Sequence, residues 1–343
     1  LTRTPPRPPL RVLELFAGIG GVAALLSTMA AATDVVEAAD LDRVALEVYR
    51  HNFAHPVAVR NLAGVTAAKL PAADLWALAP PCQPHTRRGK GRDLEDPRSA
   101  PLSRLVEVIP EARPRYLFLE NVPGFQGSHA HAALLASLDG YEIVETVLCP
   151  SALGWPNRRR RFYLVASRDE PLLPVPEPGP GVSRGDGGTV KRRLAEFIDP
   201  GQDANPGLAV AADLGERYTG ALSIVDRDDP DAMTNCFTSA YGRSPVRSGS
   251  YLALPGGGMR RFHPQEILAL LGFPGTYRFP SDLPIPNAWR LAGNSLSLPA
   301  VQQALSALPP FAEHDGSGDR SADSEKAVKK DRPSADLSTR RSR

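Results

Sequence analysis

Between residues 11 and 168, short apolar runs alternate with segments of helical spacing, and this alternation constrains the fold most. RVLELF (11–16), DVVEAAD (34–40), DLWALA (74–79), RYLFLE (115–120), YEIVETVL (141–148) and RFYLVAS (161–167) read as strands. Residues 20–31, 42–53, 100–110 and 129–138 read as helices. Strand and helix in turn predict an α/β fold with a doubly wound, mostly parallel sheet. Residues 11–168 would then form one domain.

The remainder differs in texture. Residues 1–10 are rich in proline and arginine and read as a flexible lead-in. Residues 169–260 carry frequent proline and glycine without clear periodicity, which predicts a smaller, irregular domain. The segment 261–311 contains two helix-like stretches, 262–272 and 297–308, and reads as a return to the first domain. Residues 312–343 are polar and charged with almost no large apolar side chains, the composition of a disordered tail.

A net charge of +2 argues for no partner, but RRGKGR (87–92) and RRRR (158–161) concentrate positive charge locally. Such runs are either solvated faces or phosphate grips. Cys82, Cys149 and Cys236 are far apart and form no CxxC pair. Neither a metal site nor a disulfide framework is expected, and a reducing, cytoplasmic setting is. Residues 12–31 are apolar enough to resemble a membrane span, but Glu14 and three glycines interrupt them. The expectation is a soluble monomer with no membrane contact.

LFAGIGG (15–21) falls where the first strand meets the first helix. Glycines there permit a tight turn and let a ligand approach the backbone. Gly18, Gly20 and Ala23 satisfy the loose G-x-G-x-x-A pattern, and Asp40 follows at the distance of a ribose-binding carboxylate. NAD and S-adenosylmethionine both fit this much, as does a purely structural turn.

ALAPPCQPHTRRGKG (77–91) sets Cys82 among prolines 80, 81 and 84 at a strand's end. Prolines stiffen a loop, and strand ends are where ligands bind in open α/β sheets. Arg87, Arg88, Lys90 and Arg92 could favour the nucleophilic thiolate or hold phosphates. A small buried cysteine is the plainer alternative. A second strand ends in ENVPGF (120–125), which puts Glu120 at an equivalent position. A thiol and a carboxyl in one cleft suit attack on an electron-poor ring.

These pieces together resemble the cytosine-5 methyltransferases. LFAGIGG (15–21), DLD (40–42), PPCQP (80–84), ENV (120–122), NRRRR (157–161) and AGNSL (292–296) occur in the family's order, across about residues 11–300. The resemblance implies the S-adenosylmethionine-dependent methyltransferase fold, with S-adenosyl-L-methionine as cofactor and S-adenosyl-L-homocysteine as product. It implies that Phe16, Gly18 and Gly20 line the cofactor site, that Asp40 bonds the ribose and that Leu41 packs near the adenine. Pro81 belongs to the same site, and Asn294 and Ser295 close its methionine side. Asn61 stands where many members have an aspartate. Cys82 would add to carbon 6 of cytosine while Glu120 holds N3 and the exocyclic amine, so that carbon 5 can attack the methyl group. Arg159 and Arg161 would support the catalytic loop and the target base.

CFTSAYGR (236–243) is similar to a signature of the branch that methylates transfer RNA. Asn157, in place of the glutamine usual in DNA enzymes, and the short interval before RFHPQEILALLGFP (261–274) agree with that branch. The resemblance implies cytosine 38 of the aspartate tRNA anticodon loop as target, with Asn157, Phe237, Thr238 and Tyr241 joining Arg87, Arg88 and Lys90 in substrate binding. Phe237 and Tyr241 could stack on bases or pack in a core. An anticodon loop is already splayed, so extruding its base costs less than in a duplex. A DNA cytosine-5 methyltransferase acting on duplex DNA is the alternative with the same reacting residues. A non-catalytic binding protein would not need Cys82, Glu120, Arg159 and Arg161 together, and an NAD oxidoreductase leaves PPCQP and ENV unexplained.

Overall fold

The computed structural model describes residues 8–83, 93, 96–176, 182–183, 189–211 and 213–312. Arg87, Arg88 and Lys90, most of the lead-in and nearly all of the 312–343 segment lie outside the described residues.

The first half alternates as its sequence does. In order come β1 (Leu10–Leu15), α1 (Gly21–Leu26), β2 (Thr33–Asp40), α2 (Arg43–Asn52), β3 (Val57–Val59), β4 (Leu75–Leu78), α3 (Ala100–Ala112), β5 (Tyr116–Asn121), α4 (His129–Ser137), β6 (Glu142–Leu148) and β7 (Arg161–Ser167). The seven strands form one sheet in the order β3-β2-β1-β4-β5-β7-β6. Neighbours from β3 through β5 are parallel, and β7 runs antiparallel to both β5 and β6.

The sheet is buried on both sides, which explains the near-continuous apolar strands. Val12, Leu75, Ala77, Tyr116, Phe118 and Val165 belong to one core, and Leu13, Leu15, Trp76, Leu78, Leu119 and Leu164 to the other. The order reverses on either side of β1, between β2 and β4, and this is the switch point at which open α/β sheets form a crevice beyond the carboxyl ends of their strands.

The later chain is less regular. It contains the short ribbon β8 (Val182–Ser183) and β9 (Thr189–Val190), the single-turn α5 (Leu214–Arg217), and a small sheet of β10 (Ile224–Val225), β11 (Tyr251–Ala253) and β12 (Met259–Arg261). Then come α6 (Pro264–Leu270), α7 (Ile285–Asn294) and α8 (Leu298–Leu305). Tyr277 Oη donates to Ile19 O at 2.5 Å, and Asn52 exchanges two 2.8 Å hydrogen bonds with the Arg278 backbone. These bonds tie the returning segment to the glycine turn and to α2.

Two helices differ from their sequence expectations. The stretch 20–31 is helical only over Gly21–Leu26. Ser27 Oγ and Thr28 Oγ1 donate back to Ala24 O and Leu25 O at 2.8 and 2.7 Å, and the backbone tightens into a turn there. The helix α7 escaped the sequence reading because Pro286 and Gly293 suggest breaks. The proline lies in the first turn, where its missing N–H costs nothing, and Ala288, Trp289 and Ala292 form the buried stripe. Among the described residues no helix is long and apolar enough to cross a membrane.

Candidate active site

The carboxyl ends of β1, β2, β4 and β5 converge on one cavity of about 300 Å³. Phe16, Gly18, Asp40, Leu41, Asn61, Pro81, Cys82, Glu120, Arg159, Arg161, Asn294 and Ser295 all line it. Residues separated by most of the chain therefore share one wall.

The first wall is the glycine turn. Phe16 and Gly18 adopt positive φ values of 57° and 54°, which swing the chain away from β1. Asp40 fastens this turn to the next. Its Oδ2 accepts from Gly18 N at 2.8 Å, and its Oδ1 accepts from Asp42 N at 2.8 Å. Burial raises its pKa above the ordinary aspartate value, against the lowering by these amides. Gly20 is a correction: it does not line the cavity. With φ at 83°, it lets the chain pass so close to α2 that a Cβ would meet the Tyr49 ring at 2.7 Å.

Leu41 is 65% exposed at the cavity rim, an open apolar surface beside two acids. Asp42 caps α2 by accepting from Val44 N and Ala45 N, and pairs with Arg290 of α7 at 2.5 Å. Asn61 Oδ1 accepts from Ala63 N at 3.0 Å and holds the loop that carries it. An apolar rim, acids and exposed backbone turns at a sheet's switch point suit an adenosine cofactor with a cationic end.

Cys82, Glu120, Arg159 and Arg161 occupy the next wall. Cys82 follows β4 and is half-buried; Glu120 is the penultimate residue of β5 and is 8% exposed. Asn121 Nδ2 reaches Pro80 O at 3.5 Å, joining the two strand ends. Arg161 opens β7, which runs antiparallel to β5, so Arg161 Nε arrives 3.2 Å from Glu120 Oε1. Burial raises the Glu120 pKa, while Arg161 and then Arg159 lower it less. Glu120 is thus suited to hold a proton. Burial also raises the Cys82 thiol, opposed by Arg161 and Arg159. Among these described neighbours desolvation outweighs the arginines, so the thiol is not a standing thiolate.

Arg159 works differently from Arg161. Nη1 donates to Phe237 O at 3.0 Å and Gly293 O at 3.3 Å, and Nη2 donates to Gly293 O at 3.2 Å and to Ser295 O. It is 3% exposed and staples the 237 loop to the end of α7. Arg159 and Arg161 also approach Cys236 Sγ at 3.6 and 3.7 Å. Nothing in the local pattern around Cys236, beyond its neighbour Phe237, signals this position.

Three expected substrate contacts are buried, and a fourth, Thr238, is half-buried in a turn. Asn157 is fully buried, its Nδ2 donating to Thr234 Oγ1 at 2.9 Å. Phe237 and Tyr241 are 1% and 2% exposed and pack edge to face. Tyr241 Oη donates to Ser250 O at 2.7 Å and accepts from Phe262 N at 2.9 Å, so its polar end is engaged as well. Thr238 is bound into the turn through Ser248 O and Ala240 N. Packing, the plainer of the two readings for the aromatic pair, is what the structure displays.

Comparison with known proteins agrees with this geometry. The human tRNA (cytosine(38)-C(5))-methyltransferase is 27% identical over 88% of this chain and 99% of the relative. The rat protein of the same name is 29% identical over the same shares. The crystal structure of the S. pombe Dnmt2 methyltransferase superposes with a TM-score of 0.74 at 28% identity, covering 87% of this chain and 98% of the other. The sequence profile of the C-5 cytosine-specific DNA methylases matches residues 10–191, which takes in Cys82, Glu120, Arg159 and Arg161. This protein belongs to the C-5 cytosine-specific DNA methylase family.

Proposed function

We propose that the protein methylates carbon 5 of cytosine in transfer RNA, at position 38 of the aspartate anticodon loop, using S-adenosyl-L-methionine. The juxtaposition of Cys82 with the Arg161-held carboxyl of Glu120, in the cavity rimmed by Asp40 and Leu41, carries this reading. Relatives named for cytosine 38 of tRNA align over nearly their whole length and support RNA over DNA. The CFT and YG residues 236–242 support it too, as a loop packed behind the cavity and gripped by Arg159 rather than as bases' stacking partners.

The residues suggest the following division of labour. S-adenosylmethionine, when bound, supplies an electrophilic methyl group. Asp40 and the turn at Phe16–Gly18 hold its ribose side, and Leu41 covers its base. Cys82 Sγ gives up its proton to solvent and adds to carbon 6 of the extruded cytosine; once carbon 5 carries the methyl group, loss of the carbon 5 proton to water breaks the C–S bond and frees the thiolate. Glu120, protonated, donates to N3 and takes up the electron density that addition pushes into the ring. Arg161 fixes the Glu120 carboxyl, and Arg159 holds the backbone at 293–295 beside the cofactor.

The test is methyl transfer from tritiated S-adenosylmethionine to aspartate tRNA transcript and, separately, to cytosine-containing duplex DNA, with wild type and Cys82→Ala. Label in the RNA alone, lost in the variant, is the expected result. Label in DNA alone would move the function to the DNA alternative.

A further inference from the structure

Two acids of the cavity wall have no part in the chemistry above: Asp42, which is held by Arg290 and the start of α2, and Glu14, which has no cation beside it among the described residues. Glu14 sits next to last in β1 at 2% exposure, on the face of the sheet that packs against α1 and α2. Oε1 accepts from Val22 N at 3.2 Å, and Oε2 lies 3.2 Å from Tyr49 Oη. Tyr49 Oη is in turn 3.1 Å from His55 Nδ1. His55 is half-buried, stacked on Phe53, and lines a second cavity with Ser27 and Thr33 on the other side of α1.

A continuous line of hydrogen bonds thus runs from the cofactor cavity to a separate surface opening. Its neighbours are acids or hydroxyls: Asp40 from β2 and Tyr277 from the returning segment face Glu14, and Asp34 faces His55. No lysine or arginine among the described residues bonds to any member of the line. A buried carboxylate without a cation is costly, and burial pushes the Glu14 pKa up to about 8.

We propose that Glu14, Tyr49 and His55 form a proton relay that makes cofactor binding proton-linked. Glu14 is neutral in the free protein, becomes the counter-charge of the cationic cofactor on binding, and discharges its proton away from the active site. The Glu14 O–H bond breaks as Tyr49 Oη takes that proton and passes its own to His55 Nδ1. His55 then loses its Nε2 proton to solvent. Tyr49 stays neutral throughout, as burial beside Glu14 requires by raising its pKa far above the ordinary tyrosine value. The burial that lowers the His55 pKa helps it release the proton. The proposal rests on S-adenosylmethionine as cofactor, and it implies affinity that rises with pH by up to about tenfold per pH unit below the Glu14 value.

The test is calorimetric titration of the full-length protein with S-adenosylmethionine, in buffers of different ionisation enthalpy, from about pH 6 to about pH 9. Wild type should release about one proton per cofactor at the acid end and almost none at the alkaline end. Asp40, Cys82 and Glu120 also line the cavity, so Asp40→Asn, Cys82→Ala and Glu120→Gln are run beside Glu14→Gln. Only Glu14→Gln should abolish the release; release that survives in it, or is absent in wild type, overturns the proposal. Should Glu14→Gln not fold, Tyr49→Phe serves. It removes a hydrogen bond that favours the carboxylate, so the midpoint of release should move up by roughly one pH unit. An unmoved midpoint overturns the relay. No saturable binding at any pH would remove the cofactor reading and the proposal with it, whereas binding with protons that do not depend on Glu14 removes the proposal alone.

Discussion

Arg161 Nε lies 3.2 Å from Glu120 Oε1 because β7 runs antiparallel beside β5. In an all-parallel sheet the start of one strand would lie at the opposite edge from the end of its neighbour. The reversed strand brings its first residue, Arg161, to the carboxyl end of RYLFLEN, where the cavity is. One change of strand direction thus supplies a cation to a carboxyl that burial would otherwise leave without a charged partner.

Cys82→Ala should lower methyl transfer by about a thousandfold or more, the usual scale for loss of a nucleophile. Its melting temperature and cofactor affinity should stay close to wild type, since Sγ makes no structural hydrogen bond to another described side chain. Single-turnover rates measured beside equilibrium binding would separate the two effects; turnover near the wild-type rate would dismiss Cys82 as nucleophile.

The pair Cys82 and Glu120 should give a bell-shaped dependence of kcat/KM on pH. The reactive form needs one proton on the pair, on Glu120 and not on Cys82, so rate falls when the pair gains a second proton or loses its last. Both groups have raised pKa values, first of all through burial, which shifts the bell to the alkaline side of their ordinary midpoint. Glu120→Gln should be slower by about a hundredfold or more and should lose the alkaline limb, its rate rising to a plateau through the Cys82 value alone. A variant that kept both limbs would assign the alkaline limb to another group.

Arg159→Lys should destabilise the fold by about 2–4 kcal/mol. A lysine keeps the charge but cannot reach Phe237 O, Gly293 O and Ser295 O from one planar group. Denaturant unfolding would measure this, and a loss below about 0.5 kcal/mol would show the staple to be dispensable.

Gly293→Ala tests the same joint from the other side. A Cβ at Gly293 would fall 2.2 Å from the Thr238 carbonyl carbon, a backbone atom that cannot turn aside. The cost should be at least about 1–3 kcal/mol, or a melting temperature lower by several degrees. Cofactor affinity should fall as well, because Asn294 and Ser295 follow directly. Wild-type melting would mean that the 238 loop yields freely.

Stability should also fall as pH rises, through Glu14. Its folded pKa of about 8 lies above the ordinary glutamate value of 4.5, so the folded state holds the proton more tightly than the unfolded chain. The contribution is complete below about pH 4.5 and is lost progressively as pH approaches 8, up to about 5 kcal/mol in all. Melting curves of wild type and Glu14→Gln across that range should diverge, with the variant flatter.

The sheet and the positions of Cys82 and Glu120 were legible because they rest on local pattern. Strands buried on both faces are continuous apolar runs, and a residue just past such a run must lie at a strand's end. Phe237 and Tyr241 were not legible in the same way. Their order in the chain marks a loop, but whether an aromatic ring faces a substrate or a core depends on Phe262, Trp289 and Ser250, which arrive from elsewhere. Asn157 is a similar case, its partner Thr234 lying 77 residues away. In the sequence Glu14 only interrupts an apolar stretch; it is α2, by placing Tyr49 over it, that makes it a buried acid.

The cavity is walled at one end by Glu14 to Val22 and at the other by Leu291 to Leu296, with Tyr277 bonded to Ile19 across 258 residues. On the ribosome these ends appear far apart in time. At about 5–20 residues per second, β7 precedes the end of α7 by about 6 to 25 seconds. A nascent chain in that interval holds Cys82, Glu120 and both arginines, yet Arg159 has no Gly293 or Ser295 to grip. Translation that stalls between the two leaves every reacting side chain in place and no finished chamber around them.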